Sequence, residues 1–196
     1  IGSTVYSFSL MLANFLFGIT IGGLLIVPFF KRNFDFRFLL TLFQFGIGFY
    51  LIFSIYQSSW LLSSFIRPLR LESPITEFWI DMRNASALMF VPTILFGMSF
   101  PVLTHLVTRG SDKIGSSLGI VYGINTFGGI LGSLVAGYLL LPSLGTQQTL
   151  TFLAMLNFLT GILLFATSTC FTGLFRKGAA VFVSGLLVFM LLAMPD

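Results

Sequence analysis

The sequence predicts an all-α fold, a polytopic membrane bundle of about six transmembrane helices. Three observations carry that expectation. Charged residues make up only 8 % of the 196-residue chain, where soluble domains carry about 25 %. Mean hydropathy is +1.01. Apolar runs also recur at the length a bilayer crossing needs, about 20 residues. Ten basic and six acidic side chains could not cover a soluble surface of this size. We therefore read residues 1–196 as one integral membrane domain, and expect it to be a piece of something longer, because residue 1 opens almost directly into an apolar run.

Six spans follow in order. The first is roughly Thr4 to Phe30 and the second roughly Phe38 to Ile66. The third runs from Ala85 to Val107, the fourth from Ser117 to Leu141, the fifth from Thr149 to Phe171 and the sixth from Ala179 to Met194. In the first span Ser7, Met11, Asn14, Gly18 and Gly22 recur in steps of three and four. They form one small or polar face that should look into the bundle, with Phe15, Leu16 and Ile19 pointing elsewhere. Asn14 is expensive against lipid, so interhelical hydrogen bonding suits it first and substrate contact second. Gln44 in the second span reads the same way. Trp60 suits the membrane interface.

The long polar stretch Arg67 to Asn84 reads as a solvated loop, in which Ile75 to Met82 could lie as a short helix on the membrane surface. Pro92 and Pro101 should interrupt the third span around Gly97 and Ser99, since proline lacks the N–H of a helical bond. His105 is the sole histidine, near that span's end, where an interfacial role suits it better than a ligand role.

The segment from Phe90 to Gly145 is the expected packing centre. Its second half carries glycines at 115, 119, 123, 128, 129, 132 and 137, with Tyr122, Asn125 and Thr126 as the polar interior side chains. Glycine weakens a helix in water by about 1 kcal/mol relative to Ala. In lipid it lets backbones approach closely. Gly128 and Gly132 therefore join Tyr122 and Asn125 as candidate packing or path residues.

Basic residues fix an orientation. Lys31, Arg32, Arg37, Arg109, Lys113, Arg176 and Lys177 fall in alternate loops, against Arg67, Arg70 and Arg83 in the others. The bias places the first set in the cytoplasm, and both chain ends outside, in a multi-pass protein of the cell (inner) membrane. The net charge of +4 suits lipid headgroups rather than nucleic acid.

Catalytic signatures are missing from the sequence. Gly123 to Gly129 lacks the Lys-Ser/Thr of a phosphate loop. All six acids lie in loops or at the terminus, and one cysteine, Cys170, allows neither an internal disulfide nor a cysteine metal cluster. No cofactor and no catalytic or metal residue is expected. A buried ionisable relay of the kind ion-coupled carriers use is also lacking, which leaves a facilitator built on Asn14, Gln44, Asn125 and Asn157.

Four stretches together carry a resemblance: GSTVYSFSLMLANFLFGITIGG at 2–23, FQFGIGFYLI at 43–52, PTILFGMSFPVLTHLV at 92–107 and LGIVYGINTFGGILGSLVAGYLLLPSLGTQQTL at 118–150. They resemble the transmembrane region of membrane-bound spermidine synthase-like proteins. There an integral membrane domain, distantly similar to major facilitator carriers, precedes an aminopropyltransferase domain. The resemblance implies a polyamine-synthase-like parent. It departs from the family where an extra helix would precede Gly2, at Phe29 to Asn33, and in lacking the catalytic domain expected after Asp196. Three functions follow as expectations. The first is a non-catalytic membrane anchor or subunit, partnered by lipid and other membrane proteins. The second is a small-solute carrier, polyamines included. The third is the membrane part of an aminopropyltransferase whose catalytic domain lies elsewhere.

Overall fold

The computed structural model describes residues 2–32, 34–65, 74–109 and 113–168, and all of their regular structure is helical. Helix α1 spans Gly2–Ile26 and continues as a 3-10 turn, Val27–Lys31, that Pro28 helps to start. Helix α2 spans Phe36–Phe65. Asp35 opens it, its Oδ1 accepting from the backbone N–H of Arg37 at 3.0 Å, a side-chain N-cap that satisfies an otherwise unbonded donor. Helix α3 spans Pro74–Thr108, α4 spans Ile114–Leu134, and a π-helical turn, Val135–Leu140, leads into α5, Leu141–Thr167.

Four helical runs are long and apolar enough to cross a membrane: Phe8–Lys31, Phe36–Ile55, Ala85–Thr108 and Ile114–Thr167. The last is 54 residues long. At 1.5 Å per residue that is about 80 Å, far beyond a hydrocarbon core of about 30 Å. Gly145 breaks the run with φ 75 and ψ 174, a backbone region essentially reserved for glycine. The junction between the expected fourth and fifth spans is therefore a one-residue break in otherwise helical chain. The count of about six spans is not reached among the described residues, and the expected sixth, Ala179 to Met194, lies outside them, as do Arg67, Arg70, Cys170, Arg176 and Lys177.

Two further expectations are corrected at α3. Ile75 to Met82 is no separate surface helix, because it is continuous with the third span in a helix of 35 residues. Nor do Pro92 and Pro101 interrupt that helix. Nearby hydroxyls bond carbonyls of the preceding turn: Thr93 Oγ1 donates to Phe90 at 2.9 Å, Ser99 Oγ to Leu95 at 2.8 Å and Thr104 Oγ1 to Pro101 at 2.8 Å. These are not the carbonyls the prolines free, which belong to Leu88 and Gly97; the helix is continuous there with α1 and α2 packed against it.

Helix α3 occupies the middle. On one side α1 lies parallel to it, with Phe17 stacked on Phe90, Gly18 against Thr93 and Ile26 in one cluster with Val102. On another side α2 lies antiparallel, with Gly46 against Leu95 and Phe36 edge-on to His105. Helix α5 then packs antiparallel on α2: Phe158 fits against Gly48 with its ring 5.0 Å from that of Phe49, and Phe45 fits against Gly161. The Arg37 guanidinium closes the end of this pair by donating to the Thr167 carbonyl at 3.0 Å. Tyr50 donates its hydroxyl to the Ala87 carbonyl and ties α2 to α3.

Among the described residues the glycine-rich helix is not the packing centre. Helix α4 meets α3 edge-on through Tyr122 and Phe100, ring centroids 4.9 Å apart, and among its described residues only Val121 is buried. Among the described residues a Cβ added at Gly115, Gly119, Gly123, Gly128, Gly129, Gly132 or Gly137 would meet nothing within 4 Å. The close approach that glycine permits occurs instead between α1 and α3. A Cβ at Gly22 would overlap the Ile94 carbonyl, and one at Gly97 would lie 2.7 Å from the Ile19 Cα.

Candidate functional site

The candidate residues fall in four places: the α1–α3 seam, α2, the surface of α4, and a groove between α1, α3 and α4. Asn14, Gly18, Gly22 and Gly97 lie at the buried seam of α1 and α3. The inward face expected for α1 is present at these residues, although Met11 is 47 % exposed and the Ser7 side chain lies outside the described set. Asn14 is 2 % exposed and its Nδ2 finds no hydrogen-bond partner, so its burial matches expectation while the interhelical bond does not form. Gln44 is half-buried in α2. Gly128 and Gly132 stand on the open face of α4.

Three of the candidates, Gly97, Pro101 and Asn125, are brought together. They line a groove of about 550 Å³ with Phe15, Ile19, Gly23, Phe96 and Phe100. This is within the size range of small-molecule pockets, about 300–1,000 Å³. Helix α1 supplies Phe15, Ile19 and Gly23, α3 supplies the four residues from Phe96 to Pro101, and α4 supplies Asn125. The groove exists because Gly22 and Gly97 draw α1 and α3 backbone to backbone, while Phe100 and Tyr122 hold α4 at a ring's distance.

The lining carries no charge, and Asn125 is its one polar side chain. A second polar group comes from the backbone. Pro101 has no N–H, so the Gly97 carbonyl one turn earlier lacks its helical donor. That oxygen lies 3.9 Å from where a Gly23 Cβ would stand, beside another lining residue. Sequence reasoning missed Phe15 and Ile19, which it pointed away from the bundle face. The useful signal was the Gly97-Pro101 pair four residues apart, which marks a freed carbonyl.

One end of the bundle is basic. The 3-10 turn ends at Lys31, followed by Arg32; α2 begins beside Arg37; α3 ends before Arg109; and α4 begins after Lys113. His105 sits at this end between Phe30 and Phe36, ring centroids 4.9 and 4.8 Å away, which suits an aromatic packing role at the interface. Among the described residues no cluster of His, Cys, Asp or Glu could hold a metal ion.

No family model, curated protein or solved structure matches the chain. Four apolar membrane-length helices place the chain among membrane proteins.

Proposed function

We propose that this chain is a non-catalytic integral membrane domain, serving as an anchor or as a subunit that receives a partner's transmembrane helix on α4. The single observation that carries the reading is the openness of α4: at each of its six glycines from Gly115 to Gly132 an added Cβ would meet nothing within 4 Å among the described residues. Lipid gives a helix no reason to expose so much backbone, whereas small residues are enriched where membrane helices meet. The parent is a spermidine synthase-like protein on the strength of the sequence resemblance alone. The basic end, Lys31, Arg32, Arg37, Arg109 and Lys113, faces the cytoplasm of the inner membrane under the positive-inside rule.

Cysteine cross-linking tests the subunit reading. With Cys170→Ser as background, Gly119→Cys and Gly123→Cys labelled with a benzophenone maleimide should photocross-link to another polypeptide in the native membrane, and Leu103→Cys, on the outer surface of α3, should not. Links only to residues 179–194 of the same chain, or none, would remove the reading.

The groove supports a second reading, a small-solute carrier in which α3 and Asn125 line the path. Its uncharged lining favours a neutral solute over a polyamine. Uptake of a labelled polyamine into vesicles, against empty vesicles, separates the two.

A further inference from the structure

The geometry points to the groove between α1, α3 and α4 as a binding site for an uncharged, lipid-soluble alcohol, whose hydroxyl bonds the Gly97 carbonyl and the Asn125 carboxamide. The inference is independent of whether α4 also receives a partner helix.

Charge excludes the other occupants. Phe15, Ile19, Phe96 and Phe100 make most of the wall, and an ion placed among them would lose its hydration with no opposite charge to replace it. A plain acyl chain would suit the wall but would leave both polar groups without a partner. Leaving such groups unbonded in an apolar setting is unfavourable. What the site asks for is one group that donates to a carbonyl oxygen and accepts from an amide N–H. A hydroxyl does both through a single oxygen. An ether only accepts.

Two features suit such a ligand further. The groove is bounded by three helices of the membrane layer, so a ligand dissolved in the bilayer reaches it from the side. Gly23 also leaves room, because a Cβ there would meet only the Gly97 oxygen, at 3.9 Å. The space beside the freed carbonyl is therefore held open by glycine on one side and proline on the other.

Photolabelling of the full chain in phosphatidylcholine nanodiscs tests this. Three probes of equal length are compared: a diazirine-bearing long-chain primary alcohol, its methyl ether and the parent hydrocarbon. The alcohol should label peptides containing Phe15 to Gly23 and Phe96 to Pro101 several-fold more than the other two, and excess unlabelled fatty alcohol should suppress that labelling. Pro101→Ala restores an N–H that can bond Gly97 within the helix, and Asn125→Leu removes the carboxamide at similar volume. Each should lower alcohol labelling towards the hydrocarbon level, while Asn157→Leu should not. Equal labelling by all three probes, or labelling elsewhere on the chain, overturns the inference. That comparison uses only the wild-type chain, so a variant that fails to fold does not decide it.

Discussion

Gly97→Ala should be among the most damaging single-methyl additions in this chain. The added Cβ would lie 2.7 Å from the Ile19 Cα and 2.9 Å from its carbonyl carbon. Both are backbone atoms, so no side chain can swing aside, and α1 must move away from α3. Overpacking of a filled interior costs about 1–3 kcal/mol. We expect the upper part of that range, about 2–3 kcal/mol, because the displacement also disturbs Gly22, whose own Cβ position lies 3.0 Å from the Gly97 Cα. For a chain of this size each kcal/mol moves Tm by about 2–4 °C, which gives a loss of roughly 4–12 °C. Gly119→Ala is the matched control, since nothing lies within 4 Å of its Cβ position. Helix propensity alone would make it neutral or stabilising by up to about 1 kcal/mol. Thermal unfolding in a mild detergent compares the two. Equal shifts, or a larger loss at Gly119, would refute the assignment of the tight seam to α1 and α3.

Asp35→Ala removes the side-chain cap of α2 and should destabilise by about 1 kcal/mol, read as earlier fraying of residues 36–39 in hydrogen exchange. Gly145→Ala forces a side chain into a glycine-only backbone conformation and should cost about 1–3 kcal/mol; an unchanged melting curve would show that the break between α4 and α5 is not fixed by this residue. Asn125→Leu should leave the unfolding free energy within about 0.5 kcal/mol of the parent, as exposed substitutions usually do, because Asn125 is exposed in the groove. Asn157→Leu should be equally mild, since Asn157 Nδ2 donates only to the Leu153 carbonyl of its own helix, at 2.8 Å. A large stability loss at Asn125 alone would instead restore α4 as a packing element.

The all-helical class and the positions of the first three spans were legible because hydropathy and length follow directly from the solvent a helix must face. The predicted first span, Thr4 to Phe30, differs little from the observed α1 and its 3-10 extension, Gly2 to Lys31. The inward face of α1 was legible too, since Asn14, Gly18 and Gly22 are both small or polar and correctly spaced. What could not be read was which glycine-rich face is covered. Gly22 and Gly123 occupy similar apolar surroundings in the sequence, and only the partner helix distinguishes them: α3 approaches the first and nothing described approaches the second. The density of glycines on α4 therefore misled, because it measures capacity for close approach and not its occurrence. Helix continuity at Pro92 and Pro101 was likewise hidden, since it goes with α1 and α2 packed on two sides of α3 and not with any local sequence signal. The groove was half legible. Pro101 and Asn125 were named from their chemistry, but their meeting with Phe15 and Ile19 depends on how α1 is rotated against α3.

Quenching by brominated lipid separates an outward α4 from a buried one most directly. In a background carrying Trp60→Phe and Trp79→Phe, one tryptophan is placed at Gly123 or at Val102, which is fully buried, in nanodiscs holding a single chain. Strong quenching at position 123 and weak quenching at 102 is the expected result. Protection at 123 in the single chain, with quenching at 102, would contradict both the central place of α3 and the open glycine face of α4.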